Sequence, residues 1–172
     1  MGGMTWRDRA RGPFRALVAG LVAGLVAGAV GWLGIDGLRP RTAMTGRAVA
    51  MDGDSLRLDG VELRLEGLDA PELRQTCIAA TGEVACGRQA REALAALLDD
   101  GDVTCRVGKR DRYGRGLARC SAGGRDVNRE LVRSGAAIAS GDYEAEEREA
   151  RNQRRGVWAT RFEQPADWRG RH

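Results

Sequence analysis

The 172 residues contain one histidine, and it is the last residue, His172. A histidine general base, or a metal centre with histidine ligands inside the fold, is thereby excluded. Any chemistry must run on carboxylates, arginines and a hard metal ion. Lysine is almost as scarce: Lys109 stands alone among basic residues that are otherwise arginine, a bias read as genomic base composition. No two cysteines have the close CxxC spacing of zinc sites, which argues against a four-cysteine zinc centre. There is no internal repeat, and no low-complexity stretch apart from one apolar run. With 30% charged and 42% apolar residues the composition is that of a globular protein, not a disordered one. A net charge of +4 suits an anionic partner without requiring one.

The apolar run is Ala16 to Ile35, with no charged residue. About 20 helical residues span roughly 30 Å, the thickness of a bilayer core. Arg7, Arg9, Arg11 and Arg15 precede it against one acid, Asp8, so residues 1–15 are expected to stay cytoplasmic while the rest is exported. Two readings remain: a retained single-pass anchor, or a signal peptide cut near Ala27-Gly28-Ala29, which would leave a secreted protein. Gly20, Gly24 and Gly28 recur every fourth residue and offer a face for weak self-association. Residues 36–45, with Gly, Pro and Arg, are expected to be a linker.

An even number of cysteines in an exported domain points to two disulfides. Three pairings exist; Cys77–Cys86 and Cys105–Cys120 are expected because each closes a short local loop. From Gly46 the pattern becomes strand-like. Leu56 and Leu58 flank Arg57, Asp59-Gly60 is a two-residue hairpin turn, and Val61, Leu63 and Leu65 alternate with charged residues. Ala90, Ala93, Leu94, Leu97 and Leu98 have helical spacing within 83–100. Val103, Cys105 and Val107 predict a strand, resumed over 117–120. Asp126 is placed to cap a short helix ending at Gly135, and a last helix is expected from Tyr143 to Arg155, with Glu144–Arg148 and Glu147–Arg151 pairs. Strands, helix, strands and two helices describe a small β-barrel with helices packed on it.

Four short segments carry chemistry. Asp52-Gly53-Asp54 sits between two strands; alone, it is a common turn whose carboxylates bond to nearby amides. Asp69-Ala70-Pro71-Glu72 follows a strand end, where Pro71 fixes its own φ and keeps Ala70 extended, projecting two acids from a rigid segment. Arg64 lies on the strand before it. Asp111-Arg112-Tyr113-Gly114-Arg115 links two strands and exposes Arg115. Together they supply oxygens for a hard cation, a carboxylate base and two guanidinium forks that match phosphate. Attack on a phosphodiester needs an activated water and neutralised phosphoryl oxygens, and this set provides both.

Asp52–Leu58 (DGDSLRL), Arg64–Glu72 (RLEGLDAPE), Asp111–Ala118 (DRYGRGLA) and Val127–Gly135 (VNRELVRSG) resemble, in order, the motifs of the thermonuclease (staphylococcal nuclease-like) family. The resemblance covers about Gly46 to Trp168. It implies a five-stranded OB-fold barrel with about three accessory helices over 46–168, and Ca²⁺-dependent hydrolysis of DNA and RNA to 3′-phosphate ends. By motif position it implies Asp54, Asp69 and the Ala70 carbonyl as Ca²⁺ ligands, with Asp52 beside the metal. Glu72 would be the general base, Arg64 and Arg115 would clamp the phosphate, and Tyr113 and Tyr143 would contact the nucleotide. Two features depart from the family pattern. Gly141 stands where members often carry a second tyrosine, and the loop after Glu72 contains Cys77 and Cys86. Against the exported nuclease stand two other readings: a silent OB-fold module that binds nucleic acid or protein at the cell surface, and a structural membrane protein assembled through its anchor. The full acidic and arginine set favours the enzyme.

Overall fold

The hairpin at Asp59-Gly60 forms as expected, because both turn residues take positive φ (47° and 84°), the geometry of a type I′ connection. It joins β3 (Ser55–Leu58) to β4 (Val61–Leu65). Leu56, Leu58, Leu63 and Leu65 face inward and are fully buried, while Val61, beside the turn, is exposed. The structure, a computed structural model, describes residues 41–172. The basic segment 1–15, the apolar run 16–35 with Gly20, Gly24 and Gly28, and residues 36–40 lie outside the described residues. Among the described residues no helix is long and apolar enough to cross a membrane.

The main sheet runs β1-β8-β9-β4-β3-β2, with β10 paired on β9. Its remaining strands are β1 (Thr42–Gly46), β2 (Ala48–Ala50), β8 (Val103–Arg110), β9 (Gly116–Ala122) and β10 (Arg125–Asp126). This corrects the five-stranded count: seven strands join. β1 begins inside the expected 36–45 linker, because Thr42–Gly46 pairs residue for residue with Val103–Val107. Pairing partners decide a strand whose own sequence has little apolar pattern. β4 and β9 run parallel, and this pairing places Leu63 opposite Gly116 and so brings Arg115 alongside the strand that carries Arg64.

Two small ribbons complete the strands. β5 (Leu68–Asp69) pairs with β11 (Ile138–Ala139), and β6 (Cys77–Ala79) pairs with β7 (Gly82–Val84). The second ribbon takes residues 83–84 from the expected helix, so α1 starts at Cys86 and runs to Leu98. Ala90, Leu94 and Leu98 bury its inner face against the sheet. α2 (Val127–Arg133) is capped by the Asp126 carboxylate, which accepts from Arg129 N. α3 (Glu144–Asn152) keeps the Glu147–Arg151 pair at 3.0 Å. A 3₁₀ turn (Gly156–Ala159) and α4 (Pro165–Arg171) follow. The described residues thus hold four α-helices rather than about three; α4, with Pro165 at its start, lies past the last one expected. The fold is α+β.

Both expected disulfides are present. Cys105–Cys120 joins directly opposed residues of β8 and β9, and Cys77–Cys86 ties β6 to the first residue of α1. Asn128 of α2, fully buried, accepts from Cys120 N and donates to the carbonyls of Glu66 and Ala118. It staples the helix to β9 and to the turn that leads into β5 and Asp69.

Candidate active site

Segments from residues 52–72, the 111–115 hairpin and the C-terminal helix meet in one cleft of roughly 470 Å³, the size of a small-ligand site. The β2–β3 turn contributes Asp52 and Asp54, β4 contributes Arg64, the segment after β5 contributes Ala70 and Glu72, and the β8–β9 hairpin contributes Tyr113 and Arg115. Seven of the expected site residues therefore line one cavity.

The acidic turn is held from within. Asp52 Oδ1 accepts from Asp54 N at 3.0 Å, the local bond expected of such a turn. A side chain at Gly53 would place its Cβ 2.7 Å from the methyls of both Ala70 and Ala90, so glycine lets the turn press against the β5 exit and α1. Asp54 is 4% exposed and its Oδ2 accepts from Ala70 N at 3.2 Å. Burial pushes its carboxyl up to about 7, the neighbouring Arg64 opposing and Asp52 and Asp69 reinforcing the rise.

Arg64 bridges the two buried acids. Nη1 donates to Asp54 Oδ1 and Nη2 to Asp69 Oδ1, each at 2.7 Å. Asp69 is joined to the others through Arg64 but is not among the residues that line the cleft. Glu72 is held through its backbone: its N–H donates to Gln75 Oε1 at 3.1 Å and its carbonyl accepts from Gln75 N at 2.7 Å. Gln75, fully buried, reaches on to the Glu163 carbonyl and so ties the Glu72 segment to the chain leading into α4.

At the hairpin, Asp111 organises the loop. Its Oδ1 accepts from the N–H groups of Tyr113 and Arg115, and its Oδ2 from Arg115 Nε, all at 2.9 Å. Arg115 then extends Nη1 toward Ser55 Oγ at 3.4 Å. Tyr113 is 69% exposed, with the Arg112 guanidinium 4.8 Å from its ring centre, a flat aromatic rim beside positive charge.

The structure does not bring Tyr143 to this cleft. It packs against the core, its hydroxyl is buried without a hydrogen-bond partner, and burial pushes its phenol up to about 12. Its backbone is left-handed at the start of α3 (φ 69°).

One residue escaped the sequence reading. Arg169, on α4, donates from Nη1 to Asp69 Oδ1 (3.0 Å) and Glu72 Oε1 (2.7 Å), and from Nη2 to Asp69 Oδ2 (2.9 Å). Its bonds to Asp69 hold its guanidinium above the ordinary arginine range. The only signal for it was Pro165, a helix-starting residue that predicts a short helix over the positions that follow.

The arrangement can hold a cation between buried carboxylates and grip an anion between arginines. The family described as staphylococcal nuclease homologue matches residues 62–160, more than half of the chain. That span contains Arg64, Asp69, Glu72, Tyr113 and Arg115 but not the Asp52–Asp54 turn or Arg169. A succinoglycan biosynthesis protein, ExoI, of Rhizobium meliloti is 37% identical over 99 residues, covering 53% of this chain and 52% of that protein. An uncharacterized endonuclease of Escherichia coli is 34% identical over 112 residues, 61% of this chain and 67% of that one. The chain thus spans about half the length of the first of these relatives.

Proposed function

Because the chain belongs to the staphylococcal nuclease homologue family, whose domain is an α+β OB-fold, we propose that it is a Ca²⁺-dependent phosphodiesterase that hydrolyses DNA and RNA and leaves 3′-phosphate ends. The observation that carries this reading is the convergence of Asp54, Arg64, Glu72, Tyr113 and Arg115 on one cleft. A silent binding module has no use for a carboxylate base set between buried acids and arginines.

The donor set suits calcium. Every candidate ligand is a hard oxygen: the Asp54 and Asp69 carboxylates and the Ala70 carbonyl, with Asp52 alongside. Burial raises the Asp54 carboxyl while Arg64 opposes the rise, and a bound cation would oppose it further. Among the described residues no three His, Cys, Asp or Glu side chains cluster as a cage. Two carboxylates and a carbonyl would hold the ion, and water would complete the shell. Bound there, Ca²⁺ supplies positive charge against a phosphoryl oxygen.

The rest of the reaction belongs to the chain's own groups. Glu72 takes a proton from the attacking water, and its segment is pinned through Gln75 so that the carboxylate stays at the cleft. Arg64 on β4 and Arg115 in the hairpin just before the neighbouring β9 offer forks to the non-bridging oxygens, whose charge grows as the water oxygen bonds to phosphorus. The bond to the 5′ oxygen breaks, that oxygen leaves as a hydroxyl by taking a proton from solvent, and the phosphate stays on the 3′ side. Tyr113 at the rim stacks on a base, a contact worth about 1–3 kcal/mol and indifferent to sequence. The exported, membrane-anchored setting belongs to the same proposal; it follows from residues 1–35 and from the two disulfides, which persist in oxidising compartments.

The test is cleavage of single-stranded DNA by the oxidised chain with Ca²⁺ or with a chelator. The expected result is cleavage with Ca²⁺ alone, 3′-phosphate ends, and a loss of about 10²–10⁴-fold in rate for Glu72→Gln. Full activity in that variant would reject Glu72 as the base. A folded chain inactive under both conditions would favour the binding module.

A further inference from the structure

Arg169 occupies the acidic site more completely than either arginine assigned to phosphate. Its two terminal nitrogens cover both oxygens of Asp69 and one of Glu72, at 2.7–3.0 Å. Asp69 Oδ1 is also taken by Arg64. Three charge-assisted bonds therefore reach a carboxylate that the reading above gives to the metal, and Arg169 lines the cleft where Asp69 does not. A guanidinium keeps its charge at any working pH. A divalent ion on the same carboxylate would sit only a few ångströms from it, a like-charge contact in a partly buried place.

The support of Arg169 is light. α4 has seven residues, and Pro165 is the one among them that is buried. No side chain caps its start. Its other ion pair, Arg171 with Glu163, joins residues of the same C-terminal segment and does not fasten the helix to the sheet. The bonds of Arg169 to Asp69 and Glu72 are thus the main polar ties between the helix and the cleft, and beyond Pro165 and the half-buried Trp168 the helix is exposed.

We propose that Arg169 is a tethered cation that holds Asp69 and Glu72 and yields them to a divalent metal ion, so that α4 is a latch whose release sets the metal concentration at which the site assembles. This inference rests on the metal reading of the site. It makes Arg169 a competitor of the metal, opposite in sign to a residue that merely orients Asp69 for coordination.

The test is calorimetric titration of the oxidised full chain with Ca²⁺ alone, without substrate, for wild type, Arg169→Gln and Arg169→Lys. Arg169→Gln keeps a polar stem and loses the charge, so its Kd is expected to fall by about tenfold or more, since the charge count of a site tunes its calcium affinity. Arg169→Lys keeps the charge, and its Kd should stay near that of wild type. Equal or weaker binding by a folded Arg169→Gln would overturn the latch and make Arg169 a positioning residue. If neither wild type nor Arg169→Gln bound Ca²⁺ while both were folded, the metal reading would fall and the latch with it. Hydrogen exchange of Pro165–Arg171 in the wild-type chain gives an answer that needs no variant. Faster exchange with saturating Ca²⁺ supports release of the helix; unchanged or slower exchange overturns it.

Discussion

Gly53→Ala is expected to disable the site while leaving the sheet in place. An added Cβ would lie 2.7 Å from the methyl carbons of both Ala70 and Ala90. Carbon atoms rest at about 3.5–4.0 Å, so the turn must retreat by about 0.8 Å or more. Neither partner yields, because an alanine methyl moves only with its backbone. The Asp54 Oδ2 bond to Ala70 N, already 3.2 Å, would then open to about 4 Å, beyond hydrogen-bonding range. Overpacking costs about 1–3 kcal/mol, and loss of a bond to a charged group about 1.5–3 kcal/mol. These overlap, so a drop of about 3 kcal/mol in urea-unfolding free energy is expected, together with weaker Ca²⁺ binding. Ala90→Gly in the Gly53→Ala background removes one of the two collisions. It should recover part of the binding, even though glycine in a helix interior costs about 1 kcal/mol. A Gly53→Ala chain with the wild-type urea midpoint and wild-type calcium affinity would show that the turn is not wedged between Ala70 and Ala90.

Tyr143→Phe removes a buried hydroxyl with no partner, so stability should hold or rise by about 1 kcal/mol or more, and KM for single-stranded DNA should not change; a raised KM would place Tyr143 on the substrate after all. Replacing Cys105 and Cys120 by serine opens a loop with a sequence separation of 15 and should cost about 3 kcal/mol in urea unfolding; a loss under about 1 kcal/mol would refute that estimate. Burial pushes the Asp54 carboxyl up to about 7 from its ordinary value of 3.8, so between those values the folded chain binds more protons than the unfolded one. Its contribution to stability therefore falls as pH rises through that window. In chelator the melting temperature of wild type should decline from pH 5 to pH 8 relative to Asp54→Asn, and parallel profiles for the two would contradict the assignment.

What the sequence could reveal depended on how far each feature reached along the chain. The Asp59-Gly60 hairpin, the Asp126 cap and the two disulfides are local, and their residues announce them. The site motifs were legible because rigid short segments display their acids and arginines in fixed order. Thr42–Gly46 has almost no apolar alternation and reads as linker; its strand character comes from β8. The helix predicted over 83–100 starts later, at Cys86, because Gly82–Val84 pairs back onto Cys77–Ala79 within the loop closed by the first disulfide. Motif position puts Tyr143 at the nucleotide, whereas its packing against the core is set by tertiary contacts that local sequence does not display. Arg169 is one of 28 basic residues in the chain. Nothing local distinguishes it, since its meaning lies in Asp69, 100 positions earlier.

The pattern of charges explains how such a site can exist before any metal arrives. Asp54 and Asp69 are buried like charges with the half-buried Glu72 beside them, which is costly unless each is paired. The fold interleaves them: Arg64 stands between Asp54 and Asp69, and Arg169 between Asp69 and Glu72. Acid and base alternate across the site, and the guanidiniums supply the positive charge that the carboxylates need in order to stay close. In the proposed reaction the same arginine that stabilises the metal-free cleft must also meet the phosphate. Arg64 cannot give its whole fork to a phosphoryl oxygen while both of its terminal nitrogens serve Asp54 and Asp69. A divalent ion on those carboxylates would relieve it of that task. Metal and anionic substrate would then each favour the other's binding, by the reciprocity that any two linked equilibria obey.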